Sequence, residues 1–247
     1  MTRNAWIIFA VICAVLLGGL IWASRGDRVD VSEVDPHVAL EASEASGNIA
    51  DCTKGSQDPK IVIVEYADFQ CPGCQNAAPV LNQVIAQYGE HVQLVYRHFP
   101  LSNIHPNARA AAAAAEAAGK QGKFWEMHER LYTNQSDWAQ ASGTARTNQF
   151  ADYAVMLGVD REQFEQDIVN PEISKKISFD AAIGRDIGVS STPTIFVDGD
   201  QLDEWFVGDE IVPQGTEGAR QVWTDAQAIG KLIIEPKLRE AGVELTN

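Results

Sequence analysis

Two cysteines stand where an apolar run gives way to a helical pattern, and this junction restricts the possible folds more than any other feature. The run Ile61-Val62-Ile63-Val64 is rich in β-branched residues and predicts a buried strand. It leads into DFQCPGCQNAAP, in which Cys71 and Cys74 flank Pro72-Gly73. Such a pair can be part of a metal site, an inert structural disulfide or a reactive dithiol.

The residues around the cysteines predict a strand, a helix and a second strand in that order. The helical pattern begins at Pro72 and ends at Gly89. In HVQLVYRHFP, Val92, Leu94 and Tyr96 alternate with polar residues, which predicts the second strand. A strand–helix–strand unit implies two parallel strands joined by a right-handed crossover.

The rest of the chain predicts a helical region followed by a return to strands. Residues 103–188 contain several helical patterns and no alternating strands, which predicts an inserted α-helical subdomain. Strand pattern resumes in TPTIFVDGDQLDEWFV, where Asp198-Gly199 predicts a hairpin turn. A final helix is expected from about Thr216 to Glu235. The predicted fold class is therefore α/β with a helical insert.

The N-terminal residues predict a membrane anchor followed by a tether. From Ala5 to Ser24 the chain has no charged side chain, and a stretch of this length can cross the hydrocarbon core as a helix. A cleaved signal peptide is the alternative, although its apolar region is usually shorter. Residues 26–58 are rich in small and acidic residues, so we expect a flexible tether there.

These patterns predict five segments. They are a transmembrane anchor over 1–25, a tether over 26–58, the first half of the α/β domain over 59–102, the helical insert over 103–188 and the second half of the domain over 189–247.

The net charge limits the kinds of partner that the protein can bind, because the chain has 34 acidic and only 19 basic residues. Nucleic acid is excluded as a partner, since its phosphates require clustered lysines and arginines.

A reactive dithiol is the interpretation that the local sequence favours for Cys71 and Cys74. Cys71 lies at the predicted helix N-terminus, where unpaired N–H groups and the helix dipole stabilise a thiolate. Cys74 follows one turn later on the same face and can resolve a mixed disulfide formed at Cys71. A structural metal site would need a second pair of ligands, and no other C-x-x-C occurs. An inert disulfide closing so short a loop would add little stability.

Three further residues are candidates for a role near the dithiol. Glu65 precedes Cys71 on the predicted strand, and alternation can turn its carboxyl inward to shuttle the proton of Cys74. The alternative is a strand-edge charge that faces water. Cys52 could join a second chain, trap a partner, exchange with Cys71 or be a buried free thiol. His105, which follows the second strand, is interpreted as structural.

Four stretches carry a resemblance to a known family. They are EYADFQCPGC, YRHFPLSNIHPNA, GKFWEMHERLY and GVSSTPTIFVDG, which together extend over roughly residues 60–208. The chain resembles the DsbA-like branch of the thioredoxin superfamily, in particular membrane-anchored or secreted thiol-disulfide oxidoreductases of the BdbD and thioredoxin-4 kind. The resemblance implies a thioredoxin fold interrupted by a helical domain, with Cys71 as nucleophile and Cys74 as resolving cysteine.

The same resemblance implies a substrate-binding surface around the dithiol. Pro193 is expected to be a cis-proline that faces the cysteines, and Thr192 to offer its backbone to an incoming peptide. Pro72 and Gly73 are expected to contact the same substrate. Because Pro-Gly replaces the Pro-His of the best-known oxidising relative, we expect the pKa of Cys71 to lie below that of a free thiol but above the most acidic family members.

Together these features predict a single-pass membrane protein whose catalytic domain oxidises protein thiols outside the cytoplasm, in the periplasm or at the outer face. The expected substrates are extracytoplasmic proteins with free thiols. A quinone-linked membrane thiol oxidase is the expected partner for reoxidation, as the resemblance implies. No small-molecule cofactor or metal is expected, because the two sulfurs carry the electrons. Two alternatives remain, a disulfide reductase or isomerase using the same site and a thioredoxin-fold metal carrier or binding module.

Overall fold

A five-stranded mixed sheet forms the centre of the fold. The structure, a computed structural model, describes residues 12, 13 and 29–244. The strands lie in the order β1-β3-β2-β4-β5. β2 and β3 are parallel, and the other neighbouring pairs are antiparallel. The five strands are β1 (Cys52–Gly55), β2 (Ile61–Ala67), β3 (Val92–His98), β4 (Thr194–Val197) and β5 (Asp200–Gln201).

The predicted strand–helix–strand unit is confirmed. The helix α1 (Pro72–Tyr88) connects β2 to β3, and Gly89 caps its C-terminus. β3 is buried at every position, although its sequence alternates between apolar and polar residues. The reason is that its polar side chains have buried partners, such as Glu116 for His98 at 2.8 Å. The central strands are therefore covered on both faces, as parallel strands usually are.

The predicted helical insert is also confirmed. The alanine-rich helix packs against four other helices of the insert. Its small side chains permit this close approach, and Ala111, Ala114 and Ala115 are fully buried. The insert consists of α2 (Ala108–Gly119), α3 (Phe124–Thr133), α4 (Gln135–Trp138), α5 (Gly143–Met156), α6 (Arg161–Asp167) and α7 (Pro171–Asp186).

Residues 31–58 belong to the folded unit, so the prediction of a flexible tether over 26–58 is wrong for this part. β1 adds an antiparallel strand to the edge of β3. Ahead of β1, the carbonyl groups of Pro36 and Val38 accept hydrogen bonds from the buried guanidinium of Arg97. Because backbone carbonyl groups make these contacts, no pattern of apolar side chains in the sequence predicts them.

The predicted membrane helix over residues 1–25 lies outside the described residues, apart from residues 12 and 13. Within the part of the chain that the structure describes, no helix combines the length and the apolar character that crossing a membrane requires.

The predicted hairpin after β4 is confirmed. Asp198 and Gly199 have φ values of 49° and 87°, the left-handed conformation that two-residue hairpin turns require. A small second sheet follows, which the sequence patterns did not predict, with the strand order β7-β6-β8. Its strands are β6 (Trp205–Val207), β7 (Glu210–Val212) and β8 (Arg220–Gln221).

The final helical segment begins later than predicted, so the expected start at Thr216 is wrong. The residues before Val222 form turns and β8 instead. Asp225 then caps a new helix by accepting hydrogen bonds from the backbone of Gln227 and Ala228. The segment continues as α8 (Ala226–Ala228), a π-helical stretch (Ile229–Ile234) and α9 (Glu235–Glu240).

A buried cluster of four charges fastens the segment before β1 to the core. Asp51 contacts Arg97 at 2.9 Å and Lys176 at 2.6 Å, and Lys176 contacts Asp180 at 2.6 Å. The side chains of all four residues are at most 1% exposed. Burial alone would raise the pKa of Asp51, but the charges of Lys176 and Arg97 outweigh it and lower that pKa. Asp51 is thus the carboxylate that two buried cations share.

Replacing Asp51 with alanine leaves Arg97 and Lys176 buried with one carboxylate fewer. We expect the free energy of unfolding to fall by about 3–5 kcal/mol, measured by urea denaturation. Asp58→Ala is the control, because Asp58 is 98% exposed and lies 3.9 Å from Lys60. For that variant we expect a loss below about 1 kcal/mol. Equal losses in the two variants would show that the cluster does not hold the segment.

Candidate active site

Cys71 and Cys74 lie at the N-terminus of α1, just beyond the end of β2. Cys71 is the N-cap residue and is 8% exposed, whereas Cys74 is 0% exposed. Neither forms a disulfide, so the structure shows the dithiol form. The thiol of Cys71 donates a hydrogen bond to the carbonyl oxygen of Thr192 at 3.2 Å. The backbone N–H of Asp68 donates to the sulfur of Cys74 at 3.5 Å.

The pKa values of the two thiols shift in opposite directions. The Cys74 side chain is the largest cause of the shift at Cys71. Together with the Thr192 side chain and the backbone N–H groups of Cys74 and Gly73, it lowers the pKa of Cys71 to about 5 against the effect of burial. Burial raises the pKa of Cys74 well above its usual range, and Cys71 and Glu65 add to this rise. At neutral pH, therefore, Cys71 is a thiolate while Cys74 keeps its proton.

The loop before β4 faces the dithiol. The peptide bond between Thr192 and Pro193 is cis. A Cβ atom added to Gly73 would lie 3.0 Å from Cδ of Pro193 and 3.6 Å from the sulfur of Cys71, so the residue between the cysteines packs directly against this loop. Pro72, the other residue between them, is exposed. The structure thus brings together the cysteines, the dipeptide between them and the Thr192–Pro193 pair.

Glu65 is a buried carboxyl group on β2. It is 1% exposed, and its Oε1 has no hydrogen-bond partner among the described residues. Burial raises its pKa to about 8, with a further contribution from the charge of Cys71. The alternative of a strand-edge charge facing water is therefore wrong. A carboxyl group of this kind holds a proton at neutral pH. In its ionised form it raises the pKa of Cys74, so the two groups are near enough to influence each other.

Asp68 fixes the turn that carries Cys71, and the sequence reasoning did not single it out. Its carboxylate accepts the backbone N–H groups of Gln70 at 2.7 Å and Leu101 at 2.8 Å, and it contacts Nδ1 of His105 at 2.8 Å. The Asp68 side chain is 0% exposed. The sequence feature that could have identified Asp68 is its position shortly before the two cysteines in DFQCPGC. His105 has the structural role expected of it, because it ties the loop after β3 to the active-site turn.

An uncharged aromatic layer lies on the inner side of the dithiol. The hydroxyl groups of Tyr96 and Tyr132 are 3.1 Å apart, and burial raises the pKa of both. The ring of His128 packs against both tyrosines, and burial lowers its pKa to about 3. These side chains are neutral at physiological pH. They surround the site with a medium of low polarity, which favours the protonated form of Cys74.

Cys52 lies apart from the dithiol on β1, where it is paired with Tyr96 of β3. It packs against the hydrophobic core and is not in a disulfide. Burial raises its pKa well above the usual range, and the charge of Glu116 adds to this. Of the four roles considered for this residue, the structure favours a free thiol packed against the core, although Cys52 is half-buried rather than buried. A protonated thiol is a poor nucleophile.

A match to a known family covers most of the folded unit. A family model described as thioredoxin matches residues 48–210, more than half of the chain. The chain belongs to the thioredoxin family. This family match includes both cysteines, the helical insert and the Thr192–Pro193 loop. Among the described residues, no group of three or more histidine, cysteine or acidic side chains is arranged to hold a metal ion.

Solved structures show the same fold. BdbD from Bacillus subtilis is 19% identical, with a TM-score of 0.59 over 83% of this chain and 100% of that chain. MdbA from Corynebacterium diphtheriae, a thiol-disulfide oxidoreductase, is 22% identical, with a TM-score of 0.53 over 70% of this chain and 93% of that chain. The resemblance to DsbA-like and BdbD-like proteins is confirmed at the level of the fold, a thioredoxin-like α/β fold with a helical insertion.

A curated relative is similar to this chain over only part of its own length. The Na(+)/H(+) antiporter NhaA 1 of Mycolicibacterium vanbaalenii is 40% identical over 151 residues, which are 60% of this chain and 23% of the antiporter. The matched region thus spans about a quarter of that relative. The similarity concerns a segment of the antiporter, and ion transport is a property of that protein.

The cause of the low Cys71 pKa can be tested with two variants of Cys74. Cys74→Ala removes the hydrogen-bond donor, and we expect the pKa of Cys71 to rise toward the value of about 8.5 found for free thiols. Cys74→Ser keeps a donor of similar shape, so the pKa should rise less. The measurement is the rate of iodoacetamide alkylation as a function of pH. A midpoint that stays near 5 in Cys74→Ala would assign the lowered pKa of Cys71 to Thr192 and the helix terminus instead of Cys74.

Proposed function

We propose that the chain is an extracytoplasmic thiol-disulfide oxidoreductase that oxidises protein thiols through Cys71 and Cys74. The observation that carries this proposal is the opposite pKa shift of the two thiols, one lowered to about 5 and the other raised. A thiol of low pKa is a good leaving group, which favours transfer of the disulfide to a substrate. The thioredoxin family membership and the activity named for MdbA support the same conclusion.

The first step of the proposed reaction forms a mixed disulfide. A substrate thiolate attacks the sulfur of Cys71 in the oxidised enzyme, the bond between Cys71 and Cys74 breaks, and its electron pair leaves on Cys74. Cys74 is buried and has a raised pKa, so its thiolate must be protonated promptly. Glu65 is protonated at neutral pH because its pKa is about 8, and we assign it the role of supplying this proton.

The second step releases the oxidised substrate. A second substrate thiolate attacks the substrate sulfur of the mixed disulfide, and Cys71 leaves as a stable thiolate. The substrate has then lost two electrons, and the enzyme has gained them as a dithiol. Thr192 and the cis Pro193 face Cys71, which places the backbone of this loop beside the position of the substrate sulfur. Gly73 packs against this loop and Pro72 is exposed beside it, and we propose that both contact the substrate.

The proposed location is the outer face of the cell membrane or the periplasm, with residues 1–25 as a single-pass anchor. The apolar residues 5–24 support the anchor, and disulfide formation requires an oxidising compartment. The reduced enzyme must return its two electrons to an acceptor. We propose a quinone-linked membrane thiol oxidase as that partner, because an anchored domain is held close to membrane proteins.

The direction of exchange can be tested through the reduction potential. A stabilised Cys71 thiolate stabilises the reduced enzyme, so we expect a potential nearer to the value of about −120 mV of a strong oxidant than to the value of about −270 mV of thioredoxin. Equilibration with glutathione buffers gives the value. A potential at or below that of thioredoxin would favour the alternative of a reductase.

The variant Glu65→Gln is expected to make the fold more stable and the enzyme less active. At pH 7 the Glu65 carboxyl must take up a proton on folding, because its pKa is about 8 in the fold and about 4.3 in the unfolded chain. The free-energy cost of this proton uptake is absent below a pH of about 4 and grows as the pH rises to about 8. We expect the variant to gain about 3 kcal/mol at pH 7 and nothing at pH 4 in urea denaturation.

The same variant should lose activity. Without the proton donor, we expect formation of the mixed disulfide to slow by about tenfold or more, measured by stopped-flow fluorescence with a reduced peptide. Glu116→Gln is the control, since Glu116 is also buried but is paired with His98 at 2.8 Å. That variant should show neither the gain in stability nor the loss of rate. An unchanged rate in Glu65→Gln would remove Glu65 from the mechanism.

Trapping tests the proposed activity directly. In Cys74→Ala the Cys71 thiolate attacks a disulfide of a substrate protein, and one substrate sulfur leaves as a thiolate. The variant has no resolving thiol, so we expect it to remain linked to substrate proteins through Cys71, whereas Cys71→Ser should trap none. Cys52→Ser is the control and should form disulfides in a reduced, unfolded ribonuclease as fast as the unmodified enzyme does. If the unmodified enzyme adds no disulfides to this substrate, the proposed function is wrong.

A further inference from the structure

A groove beside the dithiol has no part in the chemistry described above. It has a volume of about 570 Å³ and lies between the loop after β3, the start of α2 and the end of α7. Phe99, Leu101 and Ile104 line one side, and Arg109 and Arg185 line another. We call this concave surface the arginine groove.

The arginine groove begins next to the active site. Ser190 lines it and stands two residues before Thr192, whose carbonyl oxygen contacts Cys71. Two residues of extended chain span at most about 7 Å. On the other side, Leu101 lines the groove, and its backbone N–H is bonded to Asp68 at 2.8 Å. A peptide that reacts at Cys71 can therefore continue into the groove within a few residues.

The charge of the groove is opposite to that of the chain. None of its lining residues is acidic, although the chain as a whole has a net charge of −15. Among the described residues, no aspartate or glutamate forms an ion pair with Arg109 or with Arg185. Two other grooves on the described surface both contain Glu129. A pair of uncompensated guanidinium groups is suited to bind carboxylates.

The structure also holds one of these arginines in place. The guanidinium of Arg109 donates to the hydroxyl groups of Ser174 and Ser178, both at 2.8 Å. These partners are neutral, so the positive charge remains available to a ligand. Beside it, the side chain of Ile104 is 69% exposed and provides an apolar contact at the mouth of the groove.

We propose that the arginine groove binds an acidic segment of the protein substrate, adjacent in sequence to the cysteine that reacts with Cys71. This inference rests on the proposed function and names a substrate class for the same site. Charge complementarity selects the occupant, because the groove offers two unpaired cations and an apolar edge. The expected preference for acidic peptides arises from the groove alone, since the negative charge of the whole chain would by itself favour basic peptides.

The test uses two peptides that differ only in charge. Each contains one cysteine, carried as a mixed disulfide with thionitrobenzoate, and is flanked by glutamates in one peptide and by lysines in the other. The Cys71 thiolate of the reduced enzyme attacks the peptide sulfur and releases the coloured thionitrobenzoate anion. At low salt we expect the acidic peptide to react about three- to tenfold faster, and this advantage should shrink as added salt screens the charges.

Three further measurements assign the preference to the groove. Arg185→Glu should abolish or reverse it, and Arg109→Gln should weaken it. Lys175→Glu makes the same charge change on the exposed part of α7 outside the groove and should retain it. Equal rates for the two peptides with the unmodified enzyme would overturn the proposal. A preference that survives in both arginine variants would overturn it as well.

The experiments distinguish an error in the proposed groove binding from an error in the proposed function. A neutral aromatic disulfide, 2,2′-dithiodipyridine, reports the reactivity of Cys71 without a peptide in the groove, and the two peptide rates of each variant are divided by the rate of that variant with this reagent. Loss of that reaction in the unmodified enzyme would contradict the proposed function. Cysteine-free versions of the two peptides, followed by fluorescence anisotropy, measure groove binding in either case, and absence of the acidic preference there would contradict the groove.

Discussion

The influence of each sulfur on the other at the N-terminus of α1 is the interaction on which the chemistry of the site depends. It is the largest cause that lowers the pKa of Cys71, ahead of Thr192 and the first N–H groups of the helix. The same arrangement, together with burial, keeps the proton on Cys74. One dithiol thus contains a sulfur that is stable as an anion and a second sulfur that is protected from solvent and keeps its proton.

The surrounding fold maintains this difference between two chemically identical groups. The Asp68 carboxylate accepts hydrogen bonds from the turn that carries Cys71 and from the loop after β3, which fixes the turn against the sheet. Its backbone N–H contacts the sulfur of Cys74. Glu65 has no hydrogen-bond partner for its Oε1 among the described residues, and such a group is costly to bury. We interpret that cost as the consequence of placing a proton donor beside Cys74.

The elements that the sequence predicted correctly are those whose signals are local. The β-branched run of β2, the proline at the start of α1 and the Asp198-Gly199 turn each specify their own conformation. The two cysteines identified the site because their spacing and position at a helix start have few alternative explanations. Glu65 was a candidate through strand alternation, but its complete burial depends on residues distant in the sequence, such as Tyr96 on β3 and Ile195 on β4, with which it is paired.

The elements that the sequence did not predict depend on distant partners. The segment before β1 has no apolar period, and it is ordered because Arg97 binds its carbonyl groups while Asp51 joins the buried charges. β1 has only four residues and adds to an edge that its own sequence does not specify. The small sheet of β6, β7 and β8 has strands of two or three residues, too short for a pattern to be recognised.

The most direct measurement of the central claim is a titration of the reduced enzyme with both cysteine Cβ atoms observed separately by carbon-13 NMR. The structure predicts that the Cβ signal of Cys71 titrates with a midpoint near 5, while that of Cys74 remains in its thiol form throughout the range in which Cys71 ionises. Two signals that titrate together, near the value of about 8.5 of a free thiol, would contradict the claim that the fold makes these sulfurs different.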